Sequence, residues 1–354
     1  MAKIQDILGD ALQKGASDIF IVSGSPLAFR LGGQVLSQSE QVLNPEDTMD
    51  LVKQIYSLAC NQKYDHFVET GDADFSFSIS GVGRFRVSAF LQRGSHSAVL
   101  RVVRFDLPDI DTLGIPQTVI DLHKFNRGLV LVTGPAGSGK STTLSCIIDR
   151  INHTRKAHII TLEDPLEFLH KHDKSIVSQR EISNDTADYA KALRSALRQS
   201  PNVILLGEMR DYDTISIAMT AAETGQLVFS TLHTIGAANT IDRVIDVFPP
   251  NQQYQIRTQL SMVLQAVVSQ QLLPATDGTL VPAFEIMLVN NAIRNMIRES
   301  KIHQIDSVIY AAANEGMCTM DASILSLYNE GRITADTALR FCSNIDIMQK
   351  RVSE

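Results

Sequence analysis

The chain has no tryptophan, only four cysteines and no surplus of positive charge. Cys60, Cys146, Cys318 and Cys342 are widely scattered and never form a C-x-x-C pair. That argues against a cysteine zinc site and for reduced, structural thiols. A net charge of −7 with 6% aromatic residues offers neither a global basic field nor many stacking platforms, so no nucleic acid is expected as a partner. No apolar run is long enough to cross a membrane, and the opening residues form an amphipathic pattern (Ile4, Ile7, Leu8, Leu12) without the apolar core of a signal peptide. These absences predict a cytoplasmic protein with no integral membrane segment. What remains, 354 residues with 44% hydrophobic and 20% charged, describes a globular chain large enough for two domains.

The densest signal lies at residues 129–143, LVLVTGPAGSGKSTT. An apolar strand runs into the pattern G-x-x-x-x-G-K-[ST] and then into an amphipathic helix. Gly134, Gly137 and Gly139 let the backbone curl so that successive N–H groups face an anion, and the helix adds its positive N-terminal end. The segment Gly134, Pro135, Ala136, Gly137, Ser138 and Gly139 is therefore expected to cradle the phosphates of ATP. Lys140 would reach the β and γ phosphates, Ser141 would give its hydroxyl to Mg²⁺, and Thr142 would line the phosphates.

The chain is expected to divide into a small α+β domain at residues 1–105, a Pro-, Gly- and Asp-rich linker at 106–117, and a larger domain at 118–354. In the first, residues 18–30, 74–79 and 83–90 read as strands and 45–59 as a helix. In the second, runs at 128–133, 158–162, 203–206 and 227–232 read as strands between helical patterns at 141–152, 186–199 and 211–224. Such alternation makes an α/β fold with a mainly parallel sheet. From 250 onward the spacing is mostly helical: 251–270, 291–300, 301–313, 321–329 and 335–343. The helices from about 290 to 354 form a C-terminal appendage, and the last eight residues are expected to fray.

Ligands of open α/β sheets bind at the carboxyl ends of the strands. Three strands deliver a functional side chain there: Glu163 after the second, Glu208 after the third and His233 after the fourth. Glu208 is the natural acid to hold Mg²⁺ through its water shell or to polarise the attacking water. Glu163 would orient or activate that water, and His233 would sense the γ-phosphate. The plainer alternatives are helix-starting acids and an ordinary polar His.

These segments together resemble the nucleotide-site boxes of the secretion and type IV pilus ATPases, and within them the PilT-type retraction motors. The residues are 134–143, 160–168 (ITLEDPLEF), 203–211 (VILLGEMRD), and 227–234 (LVFSTLHT) with 240–249; residues 292–299 (AIRNMIRE) resemble the segment that marks the retraction branch. The resemblance implies a homo-hexameric ring, a PAS-like N-terminal domain, a RecA-like core and Mg-dependent ATP hydrolysis that drives pilus retraction at the inner face of the cytoplasmic membrane. It implies an inner-membrane platform protein and a second retraction ATPase as partners. Arg84, Arg86 and Arg101 stand where the family brings arginines to a neighbour's nucleotide, and Arg294 and Arg298 would couple ring motion to the pilus machinery. An accessory pilus or secretion ATPase and a nucleotide-switched binding ring are the alternatives. Gln226 replaces a family His, Phe20 replaces another, and Ala136 replaces a Thr in the loop. The chain has neither the four-cysteine module nor the extra N-terminal domain usual in extension and secretion relatives, which favours retraction.

Overall fold

A computed structural model describes residues 3–59, 62–79, 82–103 and 107–353. Cys60 and Asp106, the first residue of the expected linker, lie outside the described residues. The chain divides into two compact units, residues 1–106 with 167–169, and residues 107–166 with 170–354.

The first unit runs α1 (Ile4–Gln13), β1 (Asp18–Ile21), β2 (Pro26–Leu31), β3 (Gln34–Val42), α2 (Pro45–Leu58), α3 (Tyr64–Thr70), β4 (Asp72–Ile79), β5 (Gly83–Gln92) and β6 (Ser95–Val103). Its antiparallel sheet has the order β3-β2-β1-β6-β5-β4. Side chains alternate between the two faces of a sheet, and the register shows what that alternation does here. Phe29, Ile19, Leu100, Val87 and Phe75 stand opposite one another and share a core with Leu8, Leu51 and Ile55 of the helices. One residue along, Arg30, Asp18, Arg101 and Arg86 form a charged row on the opposite face. The segment expected as one strand over 18–30 is two strands, broken by a turn with Gly24 at φ +82°. Strands β3 and β6 were not expected. β3 is exposed along nearly its whole length, so it carries no apolar alternation to read.

The second unit runs α4 (Gln117–Ile120), β7 (Gly128–Thr133), α5 (Lys140–Thr154), β8 (His158–Glu163), β9 (Ile176–Glu181), α6 (Tyr189–Ala196), β10 (Val203–Leu206), α7 (Tyr212–Glu223), β11 (Leu227–Leu232), α8 (Ala237–Asp246), α9 (Pro250–Val263), β12 (Leu264–Pro274), β13 (Leu280–Leu288), α10 (Asn291–Arg298), α11 (Ile305–Ala311), α12 (Met320–Asn329), α13 (Ala335–Phe341) and α14 (Ile345–Ser353). The sheet order is β13-β12-β7-β11-β10-β8-β9. Every pairing is parallel except β12 with β13. Both faces are covered, so β7 reads as a continuous apolar run: Leu129 and Leu131 join the core under α6 to α11, while Val130 and Val132 join Leu144, Ile147 and Ile151 of α5.

Two expectations fail in this unit. The helix expected over 251–270 ends at Val263, and the chain continues as strand β12 beside the phosphate-loop strand, with β13 returning along its outer edge. Of the last eight residues, 347–353 do not fray but belong to α14, held by buried Met348, and Glu354 lies outside the described residues. Asp321 of α12 accepts from the backbone N–H groups of Ser343 (2.6 Å) and Asn344 (3.0 Å), just before that helix. No helix among the described residues is long and apolar enough to cross a membrane.

Candidate active site

β7 is buried throughout and delivers the chain into the phosphate loop. Gly134, Gly137 and Gly139 adopt φ of +140°, +76° and +86°, which glycine tolerates and other residues resist. A side chain at Gly134 is excluded on space alone, because its Cβ would lie 2.1 Å from the backbone oxygen of Gln270. Lys140 opens α5 and is buried, its Nζ donating to the carbonyls of Gly134 (2.9 Å) and Pro135 (2.8 Å). The buried Ser138 hydroxyl has no hydrogen-bond partner among the described residues. A curled backbone, a buried ammonium, an orphaned hydroxyl and the N-terminus of a 15-residue helix make a donor set that fits phosphate. Ser141 and Thr142 lie half-buried in the first helical turn.

β11, β10 and β8 run parallel to one another and β11 to β7, so their carboxyl ends lie along the sheet edge from which this loop leaves. Glu163 is the last residue of β8 and is buried. Glu208 follows Gly207 in a turn beyond β10 that is pinned from both sides. The Gly207 N–H donates to the Leu162 carbonyl (2.7 Å), the Thr231 hydroxyl to the Gly207 carbonyl (2.6 Å), and the Met209 N–H to the Thr231 carbonyl (3.2 Å). The carboxylate so placed ion-pairs with Arg210 (Oε2 to Nη2, 2.7 Å) and lies 3.6 Å from Nε2 of His233, just past β11. The structure thus brings Glu208 and His233 together. Tyr189, the first residue of α6, lies within electrostatic reach of Glu208, Asp164 and Glu163. That phenol is pushed well above its ordinary pKa by burial, then by the negative charges of Glu208, Asp164 and Glu163. It is a neutral hydrogen-bond donor at any physiological pH. A Cβ on Gly207 would lie 2.8 Å from the Tyr189 hydroxyl, so glycine is what lets the phenol approach the turn.

The remaining site candidates sit elsewhere in their units. In the first unit, Arg101 Nε is 3.0 Å from Oδ1 of the buried Asp18. Arg86 is Arg101's exposed cross-strand neighbour, and Arg84 Nη1 donates to the Ser78 hydroxyl at 3.2 Å. In the second, Ile293 and Ile297 of α10 are fully buried, whereas Arg298 is exposed. Arg294 is not a free surface residue. Its guanidinium donates to the carbonyls of Ser261 (2.7 Å) and Met262 (3.1 Å) and to Gln265 Oε1 (3.4 Å), satisfying the end of α9. Sequence reasoning missed three residues of the site: Gln270, Tyr189 and Arg210. Only Arg210 had a signal, standing two positions after Glu208 in the same short segment.

A parallel sheet whose central strand runs into such a loop, with acids at the ends of the strands two and three places away, defines the P-loop class of nucleotide-binding proteins. The family described as type II/IV secretion system protein matches residues 1–300, and the chain belongs to that family. It is 44% identical to the type IV pilus retraction ATPase PilT of Pseudomonas aeruginosa, covering 95% of this chain and 96% of that one. It is 36% identical to the type IV pilus ATPase PilU of the same organism, over 95% and 88% of the two chains. A crystal structure of the pilus retraction motor PilT with bound ADP superposes with a TM-score of 0.91 at 45% identity, covering 99% of this chain and all of that one.

Proposed function

We propose that this chain is the ATP-hydrolysing motor of type IV pilus retraction, acting as a homo-hexameric ring on the cytoplasmic face of the inner membrane. What supports the reading is the pairing of Glu208 with His233 along the sheet edge from which the phosphate loop also leaves, in a chain alike over 95% of its length to a retraction ATPase. The N–H groups of residues 136–139 hold the triphosphate, Pro135 having none to give, and Lys140 neutralises its charge. Ser141, and Glu208 through the ion's water shell, would hold Mg²⁺, which would supply the remaining neutralisation of the phosphates; among the described residues no cluster of three or more His, Cys, Asp or Glu could hold a metal by itself. That scarcity suits an ion bound through substrate phosphates and waters.

Glu163 and Glu208 orient and polarise the attacking water, with the neutral Tyr189 phenol within their electrostatic reach. His233 reads the γ-phosphate. Arg84, Arg86 and Arg101 bring positive charge to a neighbouring subunit's nucleotide, and α10 passes ring motion to an inner-membrane platform protein. The similarity to PilU supports a second reading, an accessory pilus ATPase working beside another retraction motor. The test is a deletion strain complemented with the chain, scored for pilus length and surface motility, together with phosphate release by the purified protein. Long, non-retracting pili and restored motility support the primary motor. Retraction that persists in the deletion strain favours the accessory role, and absence of phosphate release removes the motor reading.

A further inference from the structure

Gln270 lies on β12, 127 residues from Thr143 in sequence, yet their side chains meet inside the molecule: Thr143 Oγ1 donates to Gln270 Oε1 at 2.8 Å. Both residues are almost fully buried. The same residue meets the phosphate loop at its two ends. Its backbone oxygen occupies the space that a Cβ on Gly134 would need, and its Nε2 would lie 2.9 Å from a Cβ on Gly139. The first and last glycines of the loop therefore close against one residue of the adjacent strand. Ser269, just before it, pairs with Thr133, the last residue of β7, so the register of β12 decides where this clamp falls.

We propose that Gln270 is the positioning residue of the phosphate loop. Its amide ties the first turn of α5 to β12 and thereby fixes the curvature on which the converging N–H groups depend. Gln270 need not touch the nucleotide. It lowers the ordering that phosphate binding would otherwise demand of a glycine-rich segment, which is how preorganisation raises affinity. A glutamine suits the position because it accepts from Thr143 with its oxygen while its NH₂ faces Gly139.

This role rests on the nucleotide-binding reading above, and titrating the full-length protein with ADP separates the two. The parent chain should bind. Gln270→Met, which keeps length and apolar contacts, and Thr143→Val, which keeps shape, should each weaken ADP binding about fivefold or more, whereas Thr143→Ser, which retains the hydroxyl, should bind like the parent. Because one hydrogen bond is at stake, the double variant Thr143→Val with Gln270→Met should fall no further than the worse single variant. Thermal melting without nucleotide provides the readout of a merely structural role. Melting that drops while ADP affinity stays within about twofold of the parent overturns the proposal, as do losses that add in full. A parent chain that fails to bind ADP removes the nucleotide site and this role with it.

Discussion

Removing the ammonium of Lys140 takes away a buried cation that donates to the Gly134 and Pro135 carbonyls of the phosphate loop, so Lys140→Ala should lose both nucleotide affinity and turnover. Glu208→Gln keeps the shape of the turn while abolishing its charge. It should still bind ATP, hydrolyse it at a small fraction of the parent rate and retain it in single-turnover trapping. Near-normal turnover by Glu208→Gln would exclude Glu208 from the chemistry. A different acid governs stability. Glu285 on β13 is buried and accepts from the Ala237 N–H at 2.6 Å; burial, with Asp306 and Asp321 nearby, raises its pKa above the ordinary 4.5. The folded state thus binds this proton more tightly than the unfolded state, so the stability it contributes is present below the ordinary value and is lost as pH rises through the raised one. Glu285→Gln, still able to accept from Ala237, should raise the Tm at neutral pH and lose that advantage on acidification to about the ordinary carboxylate range. Equal Tm differences at both pH values would show that the charge on Glu285 is not what costs stability.

At the scale of elements, α10 shows why two arginines four residues apart are not equivalent. Arg294→Ala strips the carbonyls at the end of α9 of their donors and should lower the Tm through that lost hydrogen bonding, by roughly 1–3 kcal/mol in stability. Arg298, exposed on the same helix, is the clean probe of coupling. Arg298→Ala should preserve folding and ATP turnover while pilus retraction fails, and normal retraction in that variant would return α10 to a purely structural role. The apolar face of α10 was legible in sequence because Ile293, Met296 and Ile297 follow the helical period. So were β7, its loop and the strand ends that carry Glu163, Glu208 and His233, since buried parallel strands are short apolar runs stopped by polar residues. β12 was not legible. It follows α9 without a turn, and LQAVVSQQLL has the composition of a buried helix as readily as of a buried strand. Gln270 and Tyr189 were invisible for a related reason, because each is polar for the sake of a partner distant in sequence.

At the scale of the whole molecule, the charged row Arg30, Asp18, Arg101 and Arg86 places two adjacent guanidinium groups on the face opposite the first unit's apolar core. If these groups act on a neighbour's γ-phosphate, activity belongs to the ring and not to the subunit. Specific activity should climb with protein concentration as rings assemble. Mixing Lys140→Ala with Arg101→Ala subunits should recover part of the activity that each lacks alone, since each supplies what the other has lost. Arginines supplied in this way contribute about 10³–10⁵ in rate in other phosphoryl-transfer systems. Activity that stays flat on dilution through disassembly would place every catalytic group within one subunit.

The position of β12 also sets a timetable for biosynthesis. β7 leaves the ribosome with the phosphate loop attached, but one of its strand neighbours is β11 and the other is β12, both made much later. Until residues 264–274 have been synthesised, β7, buried throughout in the finished fold, has an open edge, the kind of exposed hydrogen-bonding surface that recruits other chains. The nascent loop thus cannot acquire its native backing, including Gln270, before most of the polypeptide exists. A chain terminated within α9 would be more than inactive: it would release a sticky β-edge into the cell, which makes premature truncation in this region a problem of proteostasis as much as of lost ATP turnover.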